Sequence, residues 1–214
     1  MGSKAIQAKG SKLYIGTGTG SLITITAISK AFKAEVSGNY SAGTVGDRVT
    51  LDGGDMVELT GLTATVLDIN GSTSFVIDVD TRNFTTHTTG GSATPVVWTQ
   101  IKELKDFKPS GSSISKQDKT NLDSVAKEYS PGLPDSGDLT ASINYVSDDA
   151  GLVAARTAYS GGALKQFKLV APNADTYSFQ GFFSKFPTIP SGATDGLLLG
   201  DMTIQIDGAV TKTP

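Results

Sequence analysis

Ser124 and Lys127 stand three residues apart, and a second pair, Ser142 and Asn144, follows downstream. The order S-x-x-K then S-x-N is that of serine acyl-transfer enzymes, in which a lysine one helical turn away activates the serine hydroxyl. On a helix the two side chains would share a face. The chemistry also needs a K-T-G or K-S-G segment, and the nearest approach is Lys212-Thr-Pro214 at the end of the chain. It needs a helical subdomain as well, and the stretch between residues 124 and 142 is too short to hold one. Acyl-enzyme chemistry is therefore not expected.

Other reactive groups are few. His87 is the single histidine, it lies in Thr85-Thr-His-Thr-Thr89, and no G-x-S-x-G is present. It reads as solvent-exposed or locally hydrogen-bonded rather than as a triad base. There are no cysteines, which excludes disulfides and thiolate metal sites. Asp47, Asp52 and Asp55 miss the twelve-residue calcium loop with its closing Glu, and Asp52-Gly-Gly-Asp55 reads as a turn between strands. Gly16-x-Gly18-x-Gly20 lacks the later glycine and following helix of a dinucleotide fingerprint and reads as a linker. The expectation is a chain that is not an enzyme, with no catalytic residue, metal ligand or cofactor.

The elements that would position any site are mostly strands. Leu139, Ala141, Ile143 and Tyr145 alternate with polar residues, as do Phe75, Ile77 and Val79, and Met202, Ile204 and Ile206. Tyr177, Phe179 and Phe183 share a face with Gly181 in register. A period of two with frequent Gly, Asn, Asp and Pro punctuation predicts a sandwich or barrel. Two helices are expected. One covers residues 148–159, with Leu152, Ala155 and Tyr159 on one face and Gly161-Gly162 as its stop. The other covers residues 119–129, with Leu122, Val125, Ala126 and Tyr129 as a buried stripe and Pro131 beyond its end.

The chain has 214 residues, 38% hydrophobic and only 18% charged, which favours folded structure over disorder. Its net charge of -3 offers no basic face of the kind that neutralises phosphates. The polar start MGSKAIQAKGSK does not resemble a signal peptide, and no run approaches a membrane span, so no export signal or membrane anchor is expected. Charge is uneven along the chain. Residues 21–97 carry four basic and eight acidic residues (-4), leaving fourteen and thirteen (+1) elsewhere. This stretch is bounded by Gly16-Thr-Gly-Thr-Gly20 and Thr88-Thr-Gly-Gly-Ser-Ala-Thr-Pro95, both read as flexible linkers. The expected organisation is a discontinuous domain of residues 1–20 and 98–214 with a small all-β module, residues 21–97, inserted into it.

Gly10-Ser-Lys-Leu-Tyr-Ile-Gly16 followed by Trp98-Thr-Gln-Ile-Lys-Glu-Leu104 resembles the opening strands of major tail tube proteins of long-tailed bacteriophages. Leu122-Asp-Ser-Val-Ala-Lys-Glu-Tyr-Ser-Pro-Gly-Leu-Pro-Asp-Ser-Gly137 is similar to a further segment of that family, and Ile204-Gln-Ile-Asp-Gly208 follows in the expected order. Residues 21–97 resemble a small β-barrel repeat compared with the first catalytic-cysteine half-domain of ubiquitin-activating enzymes, a likeness of fold without ubiquitin chemistry. The tail tube resemblance implies a mainly β fold, a β-sandwich or half-barrel with one or two short helices, plus the inserted small β-barrel on the tube exterior. It implies a structural virion protein, made in the bacterial host cytoplasm, that assembles into stacked hexameric rings as a conduit for DNA. Its partners would be itself, the tape measure, tail terminator and tail tip proteins, with DNA passing through unbound. Lys127, Glu128, Tyr129, Pro131, Leu133 and Asp135 are the expected subunit-contact element. Residues 1–10 and the tail after Gly208 are expected to order on assembly. The alternative is a cell-surface or carbohydrate-binding β-module of a phage tail or tailocin, whose signature would be exposed aromatics. Residues 21–97 supply Phe32, Tyr40, Phe75 and Phe84.

Overall fold

Alternating side chains produce strands wherever one face can be buried, and fifteen form in the computed structural model, which describes residues 8–41, 43–192 and 196–214. In chain order they are β1 (Lys12–Thr19), β2 (Ile23–Thr24), β3 (Ala27–Ile28), β4 (Glu35–Ser37), β5 (Arg48–Asp52), β6 (Thr63–Asn70), β7 (Ser74–Ile77) and β8 (Ser92–Ile101). Then follow β9 (Leu104–Pro109), β10 (Ser113–Asp118), β11 (Tyr129–Asp135), β12 (Asp138–Asn144), helix α1 (Ala150–Ser160), β13 (Lys165–Val170), β14 (Thr176–Lys185) and β15 (Leu199–Thr213).

Seven strands make an antiparallel sheet in the order β8-β1-β13-β14-β15-β12-β9. Its inner face carries Leu13, Ile15, Leu139, Ala141, Ile143, Phe167, Met202 and Ile204, all buried, as the period of two requires. Helix α1 packs against β14, β8 and β1. Asp149 caps it, accepting a hydrogen bond from the Leu152 N–H at 3.0 Å, and Leu152, Ala155 and Ala158 face the core. Gly151 is required there, because a Cβ would meet the Gln100 carbonyl at 2.2 Å. Phe167 sits at the centre, 5.6 Å from the Phe179 ring and 5.3 Å from that of Phe183. Phe167→Ala should cost about 3–5 kcal/mol in denaturant unfolding. A loss under about 1 kcal/mol would mean that the ring is not packed in this core.

Residues 23–93 gather a second core around Val36, Val49, Leu51, Met56, Val66, Phe75 and Ile77. Here the hydrogen bonding closes on itself. β8 pairs with β5, β5 with β6, β6 with β7, β7 with β4, and β4 with β3, while β2, just ahead of β3, pairs back onto β8. The chain between Thr24 and Ala27 completes the circuit, so little edge is left open, although β3 has β4 as its only strand neighbour among the described residues.

Three sequence expectations are corrected. Residues 119–129 form no helix. They are the tip of a two-stranded hairpin, β10–β11, which stands apart from the main sheet. Both stretches read as flexible linkers are largely claimed by strands: β1 runs through Thr19, and β8 begins at Ser92, where the half that pairs with β5 continues directly into the half that pairs with β1, while residues 88–91 are loop. The tail after Gly208 is also strand, with Thr213 opposite Thr176. As for the N-terminal arm, residues 1–7 lie outside the described residues.

The two cores are joined by more than β8. Lys168 Nζ of β13 lies 2.6 Å from Asp47 Oδ1, and Ser178 Oγ donates to the Gly46 carbonyl at 2.5 Å. Gly46 has φ +88, and a Cβ there would run into Thr176 and Thr213.

Candidate functional site

Local chemistry explains why the tip between β10 and β11 turns instead of coiling. Asp118 Oδ1 accepts from the Thr120 N–H at 2.8 Å, and Asn121 Oδ1 from the Asp123 N–H at 2.9 Å. The Asn121 N–H donates to Ser124 Oγ at 3.1 Å, and the Glu128 N–H to Thr120 Oγ1 at 3.1 Å. Short polar side chains thus take backbone donors that a helix would have used. The strand beyond the tip is laid against β10, with Asp118 opposite Tyr129 and Ser113 opposite Asp135. A bulge at Ile114/Lys116 accommodates Pro131-Gly132, and Gly132 fits because a side chain there would strike Ser115.

Every predicted contact residue lies on this hairpin. Lys127 and Glu128 end the tip, and Tyr129, Pro131, Leu133 and Asp135 run along β11. All six are exposed. The expected buried stripe is overturned: Leu122 and Val125 have relative exposures of 105% and 103%, and Ala126 and Tyr129 are exposed too. Ile114 and Leu133 add further uncovered apolar surface, at 56% and 85%. A two-stranded ribbon of this kind is marginal in water by itself.

At the base of the hairpin lies a feature that sequence reasoning missed. A groove of about 1160 Å³ opens there, walled by Phe107, Pro109, Leu139, Tyr177, Ile206 and Val210. Asp135, Asp175 and Asp207 rim it, and no lysine or arginine among the described residues lines it. The half-exposed positions of β9, β14 and β15 could have hinted at it, but the groove exists only where those strands converge on the hairpin.

The serine–lysine pair is dispersed. Ser124 Oγ is held by Asn121, while Ser142 Oγ donates to Asp201 at 2.6 Å and Asn144 Nδ2 to Glu103 at 3.1 Å. His87 Nε2 lies 2.8 Å from the Gly90 carbonyl, and its side chain is 1% exposed, so it is locally bonded and not solvent-exposed. The three aspartates considered for calcium serve different partners. Asp47 meets Lys168, and Asp52 accepts from the Gly54 N–H and Thr60 hydroxyl. Asp55 accepts from Thr88, and that hydroxyl, with the Thr88 and Thr89 N–H groups, holds its carboxyl below the usual range. Of the four aromatics in residues 21–97, Tyr40 and Phe75 are buried, Phe84 is partly buried, and Phe32 is exposed beside Arg82. No helix among the described residues is long and apolar enough to cross a membrane.

The family model of the lambda phage tail tube protein matches residues 83–193, just over half of the chain. The chain belongs to this family. It is a structural tail tube protein of the virion tail, and the matched stretch contains β8, the hairpin, α1 and most of the main sheet. Residues 23–77 of the barrel lie outside the match. No curated protein matches the chain. Among solved structures, a chain of the virion of a native gene transfer agent particle is 16% identical with a TM-score of 0.46, over 55% of this tail tube protein and 89% of that chain. One from the tail of an empty gene transfer agent particle, with C6 symmetry, gives 16%, 0.45, 55% and 87%. One from the 6-fold symmetrised baseplate of the anti-feeding prophage gives 5%, 0.39, 54% and 83%.

Proposed function

We propose that this tail tube protein assembles with copies of itself into hexameric rings stacked as a hollow conduit for DNA, a structural role without catalysis. The observation that carries the reading is the hairpin: a ribbon with uncovered apolar side chains, within the family-matched stretch. Such a surface is a liability in a lone subunit and an assembly surface in an oligomer. The main sheet adds a second joining surface, since β9 has β12 as its only strand neighbour among the described residues. Lys127, Glu128, Tyr129, Pro131, Leu133 and Asp135 are the proposed contact residues between subunits.

Residues 21–97 are the inserted module in this reading, with residues 1–20 and 98–214 forming the tube wall. The barrel stands on the tube exterior, and its fold resembles the ubiquitin-activating half-domain without its chemistry. Its separate core and closed hydrogen bonding support the division. The partners at the two ends of the tube are the tail tip and terminator proteins, with the tape measure and then DNA inside. Synthesis takes place in the bacterial host cytoplasm. Electron microscopy and light scattering of the purified chain should show rings or tubes whose abundance rises with concentration. Monomers alone across a wide concentration range would refute the reading.

A further inference from the structure

Asn70 ends β6 and Gly71 begins the turn into β7, and of six asparagines Asn70 alone precedes a glycine. The other five precede Tyr40, Phe84, Leu122, Tyr145 and Ala174, whose Cβ atoms crowd the backbone nitrogen next to each amide. That nitrogen matters because it attacks the asparagine side chain once the two are held in a reactive geometry. At Gly71 nothing obstructs the approach. Its φ is +62, and nothing beyond its chain neighbours lies within 4 Å of where a Cβ would stand. The Gly71 N–H makes no hydrogen bond among the described residues. Asn70 and Gly71 are both exposed, so water reaches the site. A single hydrogen bond restrains the amide, from Asn70 Nδ2 to Glu35 Oε1 at 3.1 Å.

We propose that Asn70 is a spontaneous modification site, at which deamidation loosens the corner of the barrel formed by β4, β6 and β7. The Gly71 nitrogen gives its proton to solvent base and bonds to Asn70 Cγ. The Cγ–Nδ2 bond breaks, and the nitrogen takes a proton from water and leaves as ammonia. Water then opens the succinimide at either carbonyl, leaving aspartate or isoaspartate at position 70. No oxidant, reductant or cofactor takes part. The product reverses a contact. Ser74 Oγ at 2.6 Å and Asn70 Nδ2 both donate to Glu35 Oε1, and together they hold its carboxyl below the usual range. Conversion replaces the second donor with a carboxylate, so like charges meet across β7. Isoaspartate also adds a methylene to the main chain at Asn70, whose partner Ser74 makes the last pair of the β6–β7 ladder. The site depends on the barrel alone, and it stands or falls apart from the self-assembly reading.

The full chain, held at mildly alkaline pH and sampled over time, tests this. Cleavage after lysine and arginine yields a fragment 49–82 with Asn70 as its single asparagine and no glutamine, so any amide lost from it is assigned. Fragment 34–48, with Asn39 as its single asparagine and again no glutamine, is the internal reference. Fragment 49–82 should gain mass as amide becomes acid, in two chromatographic forms. It should do so at least about tenfold faster than fragment 34–48, a barrier lower by about 1.4 kcal/mol. The same fragment of an Asn70→Gln variant should keep its mass. Equal rates in the two fragments, or a parent fragment 49–82 that keeps its mass, would overturn the site. Asn70→Asp, made directly as one product, should exchange the backbone amides of β4 and β7 faster than the parent, with β12 and β15 unchanged. Parental exchange in β4 and β7 would overturn the loosening.

Discussion

Asp47→Ala should destabilise the chain by about 3–5 kcal/mol, because it strands a buried lysine. The Lys168 and Asp47 side chains are only 11% and 12% exposed, with Nζ and Oδ1 at 2.6 Å. The lysine has little else to turn to. Its ammonium lies over the Trp98 ring at 4.8 Å and near that of Tyr14 at 5.5 Å, and neither replaces a carboxylate in a dry site. On the other side, Asp47 Oδ2 accepts from the Tyr40 hydroxyl at 3.3 Å and the Thr44 N–H at 2.9 Å. Burial, reinforced by the Asp47 charge, pushes the Tyr40 phenol upward, so it stays protonated as a donor. For a chain of this size the loss corresponds to a fall in Tm of about 6–20 °C. Adding Lys168→Met should recover part of it, since the uncompensated charge is then gone. Recovery stays incomplete, because Tyr40 and Thr44 remain without an acceptor at about 1–3 kcal/mol. Equal losses in the single and double variants would mean that the pair is not the strut. Asp47 belongs to the barrel segment and Lys168 to the main sheet, so the pair couples stability to placement. Together with continuous β8 it fixes the barrel segment against the main sheet, where a tether would leave it free to swing.

Most of the strand architecture was legible in sequence, because burial of one face writes a period of two that nothing else produces. Leu139, Ala141 and Ile143 point inward as their spacing predicts, and so do Phe75, Ile77, Met202 and Ile204. Helix α1 was legible through its period, with Leu152 and Ala155 buried as expected, and its stop at Gly161-Gly162; Tyr159, expected on the same face, is exposed, and Ala158 is buried instead. The glycine-rich boundaries misled, because small residues signal flexibility only when no ladder claims their backbone. Gly16 and Gly18 are strand residues beside a bulge, paired with Trp98 and Val97. The hairpin misled more deeply. Leu122, Val125, Ala126 and Tyr129 fit a helical stripe, but a stripe states only that a face is apolar. What covers that face is a tertiary fact, and nothing among the described residues of one subunit buries it. The groove was invisible for the complementary reason, since its walls come from β9, β12, β14 and β15, far apart in the chain.

That misreading makes the second large prediction a sharp one. Were Leu122 and Val125 the buried stripe of a helix, Leu122→Asp with Val125→Asp would bury two carboxylates and unfold the subunit. In the hairpin both side chains are fully exposed, so the double substitution should leave unfolding free energy within about 0.5 kcal/mol of the parent. Assembly should respond in the opposite way. Each apolar side chain covered at a contact contributes about 1.5–3 kcal/mol, and two make roughly 3–6 kcal/mol. At 1.4 kcal/mol per factor of ten, the contact weakens by at least about a hundredfold. A tube repeats the contact at every subunit, so the loss compounds along its length. Sedimentation velocity and electron microscopy should therefore find a folded subunit, with an unchanged Tm, that builds no tubes at concentrations where the parent does. A collapsed Tm would place the two residues inside the subunit after all. Tubes at parental concentrations would remove the tip from the assembly contacts.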